Sequence, residues 1–159
     1  MTTADYADCQ LRYALLRSEY LAHQHTAEDS ARMQQFFDSC VVGNFEQVQQ
    51  LFDHIETQLD DNKRVVLTVS GYASPLFTDD YNHILSARRI GSFINMIRAW
   101  RDGLLGDAIN DGRLRIVQQP KGVDHFSPLT SHLSPSQDPV YGLPAAQSRR
   151  IEILSCEIF

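Results

Sequence analysis

The residues best placed to do chemistry are Asn82, Ser86 and Arg89, in the stretch GYASPLFTDDYNHILSARR at positions 71–89. An amide and a hydroxyl can orient a polar ligand, and a guanidinium fork matches a carboxylate with two parallel hydrogen bonds. Asn82 and Arg89 are seven residues apart, about two helical turns, so on a helix they point the same way. A strand ends near Gly71, and a polar turn at 72–77 leads into the helix. Helix N-termini offer unpaired amides to anions. A ligand carboxylate at this turn would meet those amides and an arginine. The alternative is an ordinary solvated helix face, where polar residues gather opposite the core. Spacing leaves both readings open, and both put the stripe on the solvent side.

Other chemistries find little support. The chain has no GxGxxG, GxxxxGK(S/T) or HExxH pattern and no GxSxG elbow. His23 and His25 would point to different faces of a helix, whereas zinc needs three or four converging ligands. Asp79 with Asp80, and Asp53 with Glu56, read as cap and solvated-face carboxylates. Cys9, Cys40 and Cys156 lack CxxC spacing and read as inert thiols, with one disulfide left open. The net charge of −6 argues against binding a nucleic-acid backbone, but a local cationic pocket is compatible with it. No enzyme, metal or cofactor is expected.

The elements that must position these residues follow from periodicity. The chain has 159 residues, 43% of them hydrophobic and 21% charged, which suits one domain with a real core. No apolar run of about 18 residues occurs, so no membrane insertion is expected, and no signal peptide is visible. Cys9, Tyr13, Leu16 and Tyr20 mark one stripe of a first helix. Thr26 with Asp29 predicts the cap of a second helix, carrying Met33, Phe36 and Phe37. Gly43-Asn44 predicts a break, with Asn44 capping a third helix through Phe45, Val48, Phe52, Ile55 and Leu59. RVVLTVSGY reads as a buried strand closed by Gly71. Thr78 should cap the next helix, with Tyr81, Ile84, Leu85, Ile90, Phe93, Ile94 and Ile97 on its apolar face and Gly103 and Gly106 stopping it. GRLRIVQQP is a second strand, ended by Pro120. Residues 119–144 hold five prolines and read as a long irregular loop. RRIEILSCEI closes the chain as a strand. Helix, strand, helix, strand, loop and strand predict an α/β (α+β) two-layer sandwich.

The stretch GYASPLFTDDYNHILSARRIGSFINMI resembles the central motif of OmpA-like C-terminal domains. Gly71-Tyr72, Tyr81-Asn82, Leu85-Ser86 and Arg89 match in order and spacing, and SRRIEI at Ser148 to Ile153 is similar to the family's closing motif. The resemblance covers about residues 44–157. It implies a βαβαβ-type mixed sheet covered by helices at 44–159, with residues 1–43 as a helical leader packed on it. It also implies non-catalytic binding of peptidoglycan in the periplasm, through the diaminopimelate of the stem peptide, a zwitterion. On that basis Arg89 holds the carboxylate, Asn82 and Leu85 line the pocket, and Arg149 or Arg150 closes it. Tyr72 and the amides of Ala73 and Ser74 complete the set. The GYASPL form is similar to the module of PorE-like outer-membrane lipoproteins linked to type IX secretion. That implies mooring of a secretion complex to the wall and contacts with its proteins. There are two departures. The family's amine-pairing aspartate is Ser74 here. No convincing strand precedes residue 44, so an exposed sheet edge is expected.

Overall fold

The computed structural model describes residues 3–125 and 138–159, with side chains from residue 12 onward. Its centre is β1 (Val65–Ala73), between β2 (Leu114–Val123), which runs parallel, and β3 (Ile151–Ile158), which runs antiparallel. Parallel neighbours need a crossover. Here it is α4 (Asp79–Arg98), followed by a 3₁₀ turn at Trp100–Gly103 and α5 (Leu104–Asn110). Alternate residues of β1 (Val65, Leu67, Val69 and Ala73) are fully buried. Val65, Leu67 and Val69 pack with Phe52, Ile55 and Leu59 of α3 (Gly43–Asp60) and Ile90, Phe93 and Ile97 of α4. The result is an α+β domain with a three-stranded mixed sheet, compatible with a two-layer sandwich.

Gly71 sets the fit of helix on sheet. A Cβ there would lie 2.6 Å from the Ser86 carbonyl oxygen and 2.9 Å from Ile90 Cγ1. Only glycine lets α4 lie this close to β1. A second, smaller core joins α1 (Thr3–Ala22), α2 (Ala27–Phe36) and α6 (Leu143–Ser148). Met33, Phe37 and Ala146 are buried there, with Tyr13, Tyr20 and Leu143 against them. Tyr13 and Tyr20 both meet the Phe37 ring edge-on, at 5.9 and 5.6 Å between centroids.

The caps at Thr26 and Thr78 form as expected, each side chain accepting from the amide three residues on. Several other expectations are corrected. Asn44 caps nothing. The helix runs from α2 through a π-helical segment, Phe37–Val42, straight into α3, and Gly43 holds ordinary helical angles. The wider turns shift the phase between Phe37, facing the second core, and Phe52, facing the first. Leu16 is exposed, because Tyr13, Tyr20 and Leu21 carry the inward stripe of α1. Tyr81 and Ile84 are also exposed, since the inward stripe of α4 continues from Ile90 back to Ser86 and Asn82.

Near the end of the crossover, the left-handed residues Arg101, Asp102 and Gly103 turn the chain. An unanticipated α5 follows and buries Leu105 and Ala108, with Gly106 inside it. β2 continues through Pro120 to Val123. It is an edge strand, where a missing N–H can face away from the ladder. Pro144 sits in the first turn of α6, and Pro128 and Pro135 lie outside the described residues. Among the described residues no strand precedes β1, and β3 forms the other edge with Ile153, Leu154 and Ile158 exposed. No described helix is long and apolar enough to cross a membrane.

Candidate ligand site

The site begins where β1 gives way to the turn before α4. The Asn82 side chain donates from Nδ2 to the Phe77 carbonyl at 2.9 Å, fixing that turn onto the helix. Ser86 donates from Oγ to the His83 carbonyl at 2.7 Å and accepts from the Gly122 amide at 3.1 Å, tying α4 to β2. Asn82 and Ser86 are both 0% exposed. The stripe expected on the solvent side therefore faces inward for its first two members. The close approach at Gly71 is the reason, since only short side chains fit beneath it. Asn82 Oδ1 is buried with no hydrogen-bond partner among the described residues.

Arg89 continues the stripe toward the surface. It is half-buried, and its NH1 donates to the Tyr72 carbonyl at 2.9 Å. Burial lowers its pKa from the ordinary value, and the neighbouring positive charge of Arg149 lowers it further. Arg149 enters from the junction of α6 and β3. Its Nε donates to Ser74 Oγ at 3.2 Å, and its NH1 donates to the Tyr20 hydroxyl at 2.7 Å. Ser74 is 6% exposed, so this contact is sheltered from water. Neither Arg89 nor Arg149 pairs with a carboxylate among the described residues.

Arg150 behaves differently. Its Nε donates to Glu152 Oε1 and its NH2 to Asp124 Oδ2, each at 2.6 Å. The guanidinium lies 4.2 Å from the centre of the Tyr72 ring, a cation–π contact. Burial would lower its pKa, but the hydrogen bonds and charges of Asp124 and Glu152 outweigh this and raise it.

One hydrogen bond thus joins Arg89 to Tyr72 and another joins Arg149 to Ser74 two residues on, and the charge of Arg149 acts on Arg89. Ala73 is fully buried between Tyr72 and Ser74, and Leu85 is half-buried one turn before Arg89. Asn82 shapes the turn from inside, and Arg150 is held by acids. Sequence reasoning missed Tyr20, which it placed on an apolar stripe, and missed the acids Asp124 and Glu152. The RIE spacing of SRRIEI was a signal for Glu152, because residues two apart on a strand share a face. A separate cleft of about 250 Å³ opens beside the start of α4, among Asp79, His83, Lys121 and His125. None of the expected ligand residues lines it. No cluster able to hold a metal ion occurs among the described residues. Comparison with protein-family models, with curated proteins and with solved structures gave no match.

Proposed function

We propose that this chain is a non-catalytic peptidoglycan-binding module with an OmpA-like arrangement, working in the periplasm at the outer membrane. Its ligand is the diaminopimelate-containing stem peptide. Its task is to moor a larger complex to the wall, with type IX secretion the assembly that the motif resemblance favours. One observation supports this above the others. Arg89 and Arg149 are both half-buried, the charge of Arg149 is felt at Arg89, and no carboxylate of the described residues pairs with either. Sheltered guanidinium groups without a counter-ion are costly unless a ligand supplies the charge. Arg89 is also the residue that the GYASP and YNxxLSxxR resemblance makes the carboxylate anchor.

A protein-interaction module that has lost the wall ligand is the second reading. It draws on Ser74, whose hydroxyl already serves Arg149, and on the exposed Ile153, Leu154, Ile158 and Phe159. Nuclear magnetic resonance separates the two. Adding soluble stem peptide to labelled protein should shift the amides of residues 72–76, 89 and 149. Unchanged amides there, with shifts confined to β3 on adding a partner protein, would favour the second reading.

A further inference from the structure

Resting on the peptidoglycan reading, we infer that the helical leader is part of the ligand site. Tyr20 of α1 is a positioning residue that holds Arg149 ready for the ligand, and docking of the leader is thereby coupled to binding.

A long, flexible side chain that is frozen only on binding costs affinity, and one fixed beforehand does not. Arg149 is fixed at two points. Its Nε donates to Ser74 Oγ at 3.2 Å, and its NH1 donates to the Tyr20 hydroxyl oxygen at 2.7 Å. The shorter of the two bonds comes from the leader. A guanidinium has five N–H donors, so both bonds leave donors for a ligand. Tyr20 also acts electrostatically on Arg89, opposing the effect of Arg149 there. Among the described residues, the one hydrogen bond of the Tyr20 hydroxyl is the bond from Arg149. A phenylalanine would fill the same apolar space, so packing alone does not account for the phenol.

Tyr20 is itself held in place. Its ring meets Phe37 edge-on at 5.6 Å and Tyr141 edge-on at 5.3 Å. Tyr141 is locked in turn. Its hydroxyl donates to Glu19 Oε1 at 2.6 Å, and its ring stacks on His23 at 3.9 Å. Gln24 Nε2 donates to the carbonyls of Tyr20 and Tyr141, at 2.7 and 2.9 Å. Asp138 Oδ1 accepts from the amides of Val140 and Tyr141. These contacts tie the end of α1 to the segment that leads into α6, whose C-terminus carries Arg149. Coupling of this kind is reciprocal: whatever factor the docked leader adds to affinity, bound ligand adds to leader docking.

The test is a double-mutant cycle on the whole chain, read by calorimetry with a soluble diaminopimelate-containing stem peptide. Tyr20→Phe keeps the ring and removes the hydroxyl, and should weaken binding about fivefold. In the Arg149→Met background the same change should weaken it less than about twofold, because the hydroxyl acts through Arg149. Hydrogen exchange at the amides of residues 13–22 in wild type should slow about fivefold at saturating stem peptide, an effect that a merely structural tyrosine would not produce. Wild-type affinity in Tyr20→Phe, or an equal loss in both backgrounds, overturns the inference and leaves the peptidoglycan reading standing. Unchanged exchange in α1 at saturation overturns the coupling and likewise spares that reading. Wild type that does not bind the stem peptide overturns the reading and the inference together.

Discussion

Arg149 and Arg150 are adjacent in sequence and live in opposite electrostatic surroundings. Arg150 lies on the Tyr72 ring between Asp124 and Glu152, with both acids at 2.6 Å. Arg149 reaches Ser74 and Tyr20 and has another arginine, Arg89, as its charged neighbour. Arg149 closes the C-terminus of α6 and Arg150 is the last residue before β3, so one step of the chain separates a neutralised cation from an unneutralised one. A charge-neutralised arginine of this kind serves the fold, even with its NH1 buried and unpartnered among the described residues. An unsatisfied, sheltered pair of like charges does not, and it is the kind of arrangement that binding sites maintain. Under the proposed function, the difference favours Arg89 and Arg149 over Arg150 as the residues that meet the ligand.

That contrast can be broken in four ways, taken from the largest expected effect. Gly71→Ala puts a Cβ 2.6 Å from the Ser86 carbonyl, so α4 must move off β1 and carry Arg89 away from Arg149. We expect a loss of about 1–3 kcal/mol in denaturant unfolding, together with loss of ligand binding. Arg150→Met strands two acids that are partly open to solvent. After discounting for that exposure, the expected cost is about 1–2 kcal/mol, with binding retained. Tyr20→Phe removes a hydroxyl that accepts from Arg149, and should cost about 0.5–1 kcal/mol in thermal unfolding. Arg149→Met removes one of two repelling charges. It also gives up the bonds to Ser74 and Tyr20, so the net cost should stay below about 1 kcal/mol and below that of Arg150→Met, while ligand binding weakens. If Arg149→Met destabilised the fold as much as Arg150→Met, the contrast between the two arginines would be lost.

Much of the scaffold was legible in the sequence. Val65, Leu67 and Val69 alternate, and Phe52, Ile55 and Leu59 recur at helical spacing, so periodicity found the central strand and the helix over it. Thr26 and Thr78 announced their helix starts through local capping chemistry. The direction of the polar stripe was not legible. Asn82 and Ser86 read as solvent-facing by type, and their burial depends on how closely Gly71 admits α4. Pro120 read as a strand end because the sequence does not say that β2 lies at an edge. Tyr20 and Arg149 meet across most of the chain, and no local pattern joins them. The resemblance supplied Arg89, with Arg149 or Arg150, as candidates, and the partners of Arg149 and Arg150 differ.

The most direct measurement is co-sedimentation of the purified chain with insoluble peptidoglycan, wild type beside Arg89→Ala, with unfolding curves for both. The account predicts that wild type pellets with the wall and that Arg89→Ala stays in the supernatant while folding normally. Wild type remaining in the supernatant, or a folded Arg89→Ala pelleting equally well, would contradict it.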